Sequence, residues 1–386
     1  MKQKLKITGR ADFVRNVCCK IAVMIVCTAA IWISFFGTII MAQEQGEWSS
    51  PYLLADSDGF PSEALMVSDT YGFLHIFWIE KAVDDEIALI QYVRFDGTEF
   101  TTPLDIYATR IPVGGSGVSY IAPYVDQDNQ IHLFWTEGNR GPAYYSTAPA
   151  HNTLSAHNWS EPVEISLPIF QLRPVVDSQN RLHLLYSDFW GPKPGVFHTF
   201  SEDGGKTWSE SAWLDPDIPT GQAPKTIHLT IDDQDGLHAV WAYLLLENAI
   251  GQSVRYARTL PDGEWALPIE IDEPDESESE LRLSEPNIIA QGSNIHIVWA
   301  GTENTNREYR FSTDYGQNWS VPIRIFGDLG GQAIGDGLAL DGLNRVHFMG
   351  QIRYPQAIHH AIWEDGFWSN TDPIYLINPD LENDIG

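Results

Sequence analysis

The feature that most constrains this chain is a sixfold repeat, in which an aliphatic residue and a histidine follow a turn rich in Asp, Asn and Gly. The six copies are read at Leu74-His75, Ile131-His132, Leu182-His183, Leu237-His238, Ile295-His296 and Val346-His347. Successive histidines are separated by 57, 51, 55, 58 and 51 residues. Repetition at this period predicts an array of similar structural units rather than a set of unrelated domains.

Each unit is predicted to contain four short β-strands. The last strand of each is opened by an aromatic residue: Phe100, Trp159, Trp208, Trp265, Trp319 and Trp368. Apolar and polar residues alternate with a period of two, and helical periodicity is missing. One four-stranded sheet cannot bury both of its faces, so six sheets must stack around an axis. The sequence therefore predicts an all-β fold, a six-bladed β-propeller over residues 46–376, with a tail at 377–386.

The way in which this ring closes is left open by the sequence. Trp48-Ser49-Ser50-Pro51 resembles an additional outermost strand that precedes the first full unit. The strand that follows Trp368 competes for the same position at the other end of the chain.

The N-terminal part of the chain is predicted to be a membrane segment. Six basic residues within positions 1–20 precede an uncharged, mostly apolar run at 21–42. That run is long enough to span a bilayer, and the charges before it place residues 1–20 in the cytoplasm. An uncleaved anchor and a cleaved signal peptide are both compatible with the pattern. Either one exports the remainder, so we expect an extracytoplasmic protein, anchored or secreted.

Charge and cysteine content narrow the possible partners and chemistries. Beyond residue 42 the chain has 17 basic and 51 acidic residues, a formal charge of −34, which makes nucleic acid an unlikely partner. The three cysteines all lie within the first 27 residues, so the repeat region has no disulfide and no catalytic thiol. The repeated histidines occupy equivalent places in different units and cannot converge on one metal ion. We expect a monomer without a metal or another cofactor.

Two turns carry a recognisable signature. Ser201-Glu202-Asp203-Gly204-Gly205-Lys206-Thr207-Trp208 and Ser312-Thr313-Asp314-Tyr315-Gly316-Gln317-Asn318-Trp319 both fit Ser-x-Asp-x-Gly-x-x-Trp. This pattern suits a hairpin, because Asp and Ser accept turn amides and Gly adopts a positive φ. With these turns the chain resembles the sialidase-like Asp-box (BNR-repeat) propellers over about residues 46–376. The resemblance implies the propeller fold and a glycan as partner, although that family also includes non-catalytic members.

The resemblance also implies a type of active site. A sialidase-type site uses arginines for the substrate carboxylate, a tyrosine nucleophile assisted by a glutamate, and an aspartic acid as the acid. At the starts of the innermost strands, the polar residues are Glu63, Tyr120, Arg173, Lys225, Glu285 and Asp336. The expected catalytic residues are Tyr120, Glu285 and Asp336. The expected substrate-binding residues are Arg110, Arg173, Arg282, Arg353 and Trp190.

Two of these expectations depend on position as well as residue type. Arg110-Ile111-Pro112 matches the family's Arg-Ile-Pro motif, but it precedes the second unit instead of opening the first. Arg173 lies at the start of an innermost strand. Its charge there requires either an acidic neighbour (Glu63, Glu285 or Asp336) or an anionic ligand.

Three functions remain open from the sequence. The first is an exo-glycosidase for terminal acidic sugars, and the second is a lectin-like propeller that binds glycans without cleaving them. The third is a protein-interaction platform. A convergent cluster of arginine, tyrosine and glutamate would favour the first, and exposed aromatic residues without that cluster would favour the second.

Overall fold

The computed structural model describes residues 52–55, 59–82, 86–111, 117–138, 141–191, 194–248, 251–272, 284–301, 307–326, 337–352, 357–364, 366–369 and 372–376. The predicted segments 1–20, 21–42 and 377–386 lie outside these residues. Within the described ranges, no helix is both long and apolar enough to cross a membrane.

The described chain forms six consecutive antiparallel sheets. Sheet 1 contains β1 (Phe60–Ser68), β2 (Leu74–Lys81), β3 (Ile87–Phe95) and β4 (Leu104–Arg110). Sheet 2 contains β5 (Val118–Val125), β6 (Gln130–Glu137), β7 (Ala143–Pro149) and β8 (Val163–Ile165). Sheet 3 contains β9 (Gln171–Val176), β10 (Leu182–Asp188), β11 (Gly195–Ser201) and β12 (Ala212–Trp213).

Sheets 4 to 6 repeat the same order of strands. Sheet 4 contains β13 (Gln222–Ile231), β14 (Leu237–Leu245), β15 (Gly251–Arg258) and β16 (Ile269–Asp272). Sheet 5 contains β17 (Ser284–Gln291), β18 (Asn294–Ala300), β19 (Arg307–Ser312) and β20 (Ile323–Arg324). Sheet 6 contains β21 (Gly337–Leu340), β22 (Val346–Ile352), β23 (Ala357–Glu364), β24 (Phe367–Trp368) and β25 (Asp372–Leu376). Both β24 and β25 pair with β23. The outermost strand of sheet 6 therefore consists of two segments, and both belong to the C-terminal part of the described chain.

The first strands of successive sheets (β1, β5, β9, β13, β17 and β21), which we call the inner strands, contact one another in chain order. Five apolar clusters fill the spaces between consecutive sheets from sheet 1 to sheet 6. In sheets 2 to 6, the aromatic residue before or within the outermost strand packs against the preceding sheet, as in the edge-on contact of Trp319 with Tyr256 at 4.8 Å. In sheet 1 the corresponding residue, Phe100, stacks on Tyr52 at 5.1 Å. Burial is thus shared between neighbouring sheets, as the repeat predicts.

The repeated histidines belong to a hydrogen-bond relay that ties three strands together. In sheet 1, Oδ1 of Asp69 accepts the amides of Tyr71 and Phe73, both at 2.9 Å, and so closes the turn between the first two strands. Oδ2 of Asp69 lies 3.3 Å from Nε2 of His75, whose Nδ1 lies 2.8 Å from the hydroxyl of Tyr92. A carboxylate accepts only, so Nε2 carries the proton and Nδ1 accepts from the tyrosine.

The same relay recurs in four other sheets. The Asp–His pairs, at 3.0 to 3.2 Å, are Asp126–His132, Asp177–His183, Asp232–His238 and Asp341–His347. The partners of Nδ1 on the third strand are Tyr145, His198, Tyr256 and His360, in that order. Each of these turns also has a residue with positive φ three positions after its Asp, and Gly72 fills that position in sheet 1. The histidines therefore act on turns of their own sheets.

Sheet 5 departs from this arrangement. Ala290 stands where the other sheets have Asp, and its hairpin is closed by pairing of Gln291 with Asn294. His296 still contacts the hydroxyl of Tyr309 at 2.7 Å, but its buried Nε2 has no partner among the described residues. Desolvation lowers the pKa of His296 to about 4, so the ring is neutral near pH 7.

Neighbouring first turns are also connected to each other. The amide and hydroxyl of Thr70 donate to Oδ1 of Asn129, at 2.8 and 2.9 Å, and so join sheets 1 and 2. The amide of Ser178 donates to Asp235 at 2.9 Å and joins sheets 3 and 4. Polar side chains consequently connect neighbouring sheets at the face of the molecule where the first turns lie.

We expect Asp69→Ala to lower the free energy of unfolding by about 3 kcal/mol, because two turn amides and a buried histidine lose their acceptor. The measurement is urea denaturation of the purified full-length protein. Asp262→Ala is the control, since exposed Asp262 accepts only the amide of Glu264 at 3.2 Å. Equal losses in the two variants would contradict a special contribution of the relay.

We expect His198→Tyr to reduce the loss of stability in acid. Burial lowers the pKa of His198 to about 3, so the folded state binds fewer protons than the unfolded state between about pH 6.5 and pH 3. That contribution to stability is complete above pH 6.5 and is lost as the pH falls. Tyrosine fills the equivalent position in four sheets, and the substitution should lower the slope by up to about 1.4 kcal/mol per pH unit. The measurement is thermal unfolding at a series of pH values across this range, with His157→Tyr at an exposed position as the control. If His198→Tyr leaves the change of stability with pH as it is in the wild type, the lowered pKa of His198 is contradicted.

Candidate functional site

Five side chains from the first four inner strands form the candidate site, which we call the inner-strand cluster: Glu63, Tyr120, Gln171, Arg173 and His228. They belong to β1, β5, β9 and β13. Glu63, Tyr120 and Gln171 lie toward the end of their strands that is remote from the Asp–His turn, whereas Arg173 and His228 lie nearer the middle of theirs. The cluster therefore extends from the middle of the inner strands toward the face of the molecule opposite to the connected turns.

Arg173 is at the centre of this cluster. Its guanidinium donates through Nη1 to the carbonyl of Leu172 at 2.9 Å, and within the described ranges it forms no ion pair shorter than 4.0 Å. Protein surrounds the side chain, yet part of it stays accessible to water. Desolvation lowers the pKa of Arg173, whereas Glu63 and Tyr120 act in the opposite direction. A guanidinium remains charged under such conditions, so the cluster contains a cation that faces an acid across a gap.

Glu63 faces Arg173 from β1 and has an unusual backbone. Its φ is +51°, and the register of β1 against β2 shifts between Ser62 and Leu65. A left-handed conformation is costly for a non-glycine residue, and such positions are concentrated at functional sites. Desolvation raises the pKa of Glu63, and Arg173 lowers it in part, with a net increase. The carboxyl is therefore a stronger base than a fully hydrated glutamate.

Tyr120 lies between these two charges. Desolvation raises the pKa of its phenol, a hydrogen bond from Gln171 and the charge of Arg173 lower it, and the charge of Glu63 raises it. The net result is an increase, so the phenol keeps its proton near neutral pH. Gln171 is buried, and its Oε1 has no partner among the described residues. Tyr120 and Gln171 together give the cluster polar groups that are already partly dehydrated.

His228 completes the cluster from β13. Desolvation, reinforced by the charge of Arg173, lowers its pKa well below the ordinary value. The imidazole is therefore neutral near pH 7 and can donate or accept a hydrogen bond. Because His228 carries no charge, it does not compete with Arg173 for an anion.

The other predicted site residues lie in different places. Arg110 ends β4, the outermost strand of sheet 1, and three strand spacings of about 4.8 Å separate that strand from β1. Glu285 lies in β17 with a φ of +53° at a bulge like that of Glu63. Trp190 is exposed in the loop after β10. Arg282, Arg353 and Asp336 lie outside the described residues.

Three members of the cluster were not predicted as site residues. His228 precedes His238 by ten residues, the same spacing that separates Arg173 from His183, so counting from the repeat could have identified it. Gln171 gave no such signal, because its role depends on a contact with Tyr120 from another sheet. Glu63 was recognised as an inner polar residue, but nothing in the sequence distinguishes it from Glu285.

A cavity of about 310 Å³ lies elsewhere, between the outer parts of sheets 1 and 2. Tyr107, Trp135, Trp159 and Glu161 are among the residues that line it. None of the inner-strand cluster contributes to this cavity. Since its walls are mainly the packing residues of the two sheets, we regard it as a gap in that packing and not as the candidate site.

Metal binding has no candidate cluster in the part of the chain that the structure describes. No group of three or more His, Cys, Asp or Glu side chains is placed there to hold an ion. The two Ser-x-Asp-x-Gly-x-x-Trp turns direct their carboxylates to their own amides: Asp203 accepts the amides of Lys206 and Thr207, and Asp314 those of Gln317 and Asn318.

Comparisons with known proteins bear on the fold. No family model and no curated protein matches the sequence. Among solved structures, an α-L-arabinofuranosidase variant from Fusarium graminearum bound to an iminosugar inhibitor is similar, with a TM-score of 0.51 and 13% identity over 79% of this chain and 93% of that one. A protein of unknown function from Dyadobacter fermentans has a TM-score of 0.50 and 14% identity over the same shares.

A Hadza microbial sialidase is also similar, at a TM-score of 0.46 and 10% identity over 78% of this chain and 70% of that chain. At these identities the likeness concerns the fold. The chain has an all-β, propeller-type fold of the kind found in glycoside hydrolases.

We expect Arg173→Met to change the free energy of unfolding by less than about 1 kcal/mol, because no close ion pair is broken. If Arg173 instead closed the space between the sheets as a buried salt bridge, the loss would be about 3–5 kcal/mol. Urea denaturation of the full-length protein distinguishes these values, and Asp69→Ala shows the size of a large loss in the same assay.

Proposed function

We propose that this protein is an extracytoplasmic, monomeric propeller whose six sheets close as a ring, and that it is an exo-glycosidase for glycans that end in an acidic sugar. The single observation that carries the proposal is the meeting of Glu63, Tyr120 and Arg173 from three inner strands. The terminal sugar would enter from the face opposite to the connected turns. The similar arabinofuranosidase and sialidase structures support a glycan as the substrate class.

Arg173 supports the anionic character of that sugar. Its Nη1 contacts a backbone carbonyl, and the rest of the guanidinium retains donors that suit a carboxylate held by two parallel hydrogen bonds. In a chain of formal charge −29, an isolated and partly desolvated cation is a local exception. A substrate carboxylate would compensate a charge that Glu63 compensates only at longer range.

Glu63 and Tyr120 supply the nucleophilic pair of the proposed reaction. In the proposed step, the phenolic oxygen of Tyr120 forms a bond to the anomeric carbon while its proton passes to the Glu63 carboxylate, and the bond to the leaving oxygen breaks. The leaving oxygen takes its proton from an acid, the role that the sequence predicts for Asp336. Water then hydrolyses the glycosyl-tyrosine and restores the enzyme. The raised pKa of Glu63 suits a base for this proton.

A lectin-like function is the second candidate. The observation that favours it is the raised pKa of Tyr120, because a phenol that holds its proton strongly is a weak nucleophile. Arg173 and an exposed aromatic residue would then bind a glycan without cleaving it. Both candidates use the same site, and they differ in whether Tyr120 reacts.

We expect Tyr120→Phe to abolish at least 99% of the hydrolysis of fluorogenic acidic glycosides and to leave their binding within about threefold, because only the reacting oxygen is removed. Arg173→Met should weaken binding itself by roughly tenfold to a hundredfold, as expected when a charge-assisted hydrogen bond is lost. Turnover and calorimetric binding of the full-length protein are the measurements.

Lys206→Ala is the control, since Lys206 is exposed at the face of the connected turns, opposite to the proposed entry of the sugar. Binding without turnover in the wild type would establish the lectin function. If the wild type neither binds nor cleaves any member of a broad panel of acidic glycans, the glycan proposal should be abandoned.

A further inference from the structure

Three aromatic residues form a platform beside the inner-strand cluster, at the end of sheet 3 that is remote from its Asp–His turn. It is formed by Phe170, which precedes β9, and by Phe189 and Trp190 in the loop after β10. Phe189 and Trp190 meet nearly edge to face, with ring centroids 4.4 Å apart at an interplanar angle of 71°. Phe170 contacts Phe189 at 5.2 Å and Trp190 at 6.5 Å. The three rings therefore support each other in one arrangement.

The backbone that presents this platform is fixed in place. Oδ1 of buried Asp188 accepts the amide of Trp190 at 3.1 Å and that of Gly191 at 2.7 Å. A Cβ atom on Gly191 would lie 1.8 Å from Oδ2 of Asp188, so this close approach requires glycine. The amide of Phe170 donates to the carbonyl of Ser187 at 2.8 Å. A rigid platform loses little entropy when a ligand binds.

The platform is continuous with the candidate site. Tyr120, a member of the inner-strand cluster, contacts Phe170 edge to face at 5.5 Å. The rings thus lead outward from Tyr120 through Phe170 to Trp190, whose side chain is 47% exposed. The exposed ring of Trp190 beside a polar site suits the C–H face of a sugar ring, which gains dispersion contacts and loses water there.

We infer that this platform binds the second, neutral sugar of an oligosaccharide whose acidic terminal sugar occupies the inner-strand cluster. The inference rests on the proposed function and specifies its substrate as an oligosaccharide and not a monosaccharide. The platform consists of three apolar rings, so it recognises shape and apolar surface, and Arg173 recognises charge. The steps between ring centroids are 5.5 Å from Tyr120 to Phe170 and 6.5 Å from Phe170 to Trp190, so one ring separates Tyr120 from the exposed tryptophan.

The test compares acidic oligosaccharides with methyl glycosides of the same terminal sugars, a panel of sialyl and uronosyl compounds. Binding and kcat/KM are measured for the full-length protein. Trp190→Ala should weaken the response to the oligosaccharides at least tenfold more than the response to the methyl glycosides, which carry no second ring for the platform. Trp190→Phe should retain most of the preference, and Phe367→Ala, which removes a 77% exposed ring from the outermost strand of sheet 6, should change neither.

The outcomes separate the two proposals. If Trp190→Ala lowers both classes equally, or neither, the platform is not a sugar subsite, and the proposed function stands. If the wild type responds to neither class, both proposals fail. Trp190→Gln, which keeps much of the side-chain volume without the aromatic face, gives the same comparison if the alanine variant does not fold.

Discussion

The buried hydrogen-bond relay from Asp through His to a third-strand Tyr or His is the interaction on which the rest of this structure depends. It consists of three polar side chains in each of five sheets, mostly buried in sheets 1 to 4 and partly exposed in sheet 6, and the arrangement is favourable because each group is satisfied by the next. The aspartate closes the first turn, and the histidine extends that constraint to the second and third strands. Three of the four strands are thereby fixed in register before packing between the sheets is considered.

This rigidity has a direct effect on the candidate site. The inner strands begin at the opposite face, so their first residues project from a frame that is fixed at its far end. Arg173 can remain partly dehydrated, with no close acidic partner among the described residues, because neighbouring strands keep it there. The left-handed residue Glu63 is held in the same way, by a strand that resumes regular pairing at Leu65. Such positions lower the stability of the folded state, and the relay and the apolar clusters between the sheets compensate for that loss.

The sequence predicted the sheets and the relay histidines well and the site only in part. The histidine spacing and the period of two report which faces are buried, and the structure has six sheets in the predicted order. Arg173 was found because a charge at an inner position violates the apolar pattern. The relation of Glu63 to Tyr120 could not be found, because it depends on a bulge that rotates one residue and on the spacing of two sheets. The roles of Gln171 and of the rings around Trp190 could not be predicted for the same reason, because their contacts join segments that are distant in the sequence.

The confinement of the relay to one face also has an evolutionary consequence. None of its hydrogen bonds uses a side chain from the loops at the opposite face, where Trp190 lies. Those loops can exchange length and composition by drift or recombination at little cost to folding, provided that local supports such as Asp188 remain. Proteins that descend from this scaffold can therefore change their ligands rapidly while purifying selection conserves the relay. Such descendants would share the turns that contain the relay and would differ in the loops of the opposite face.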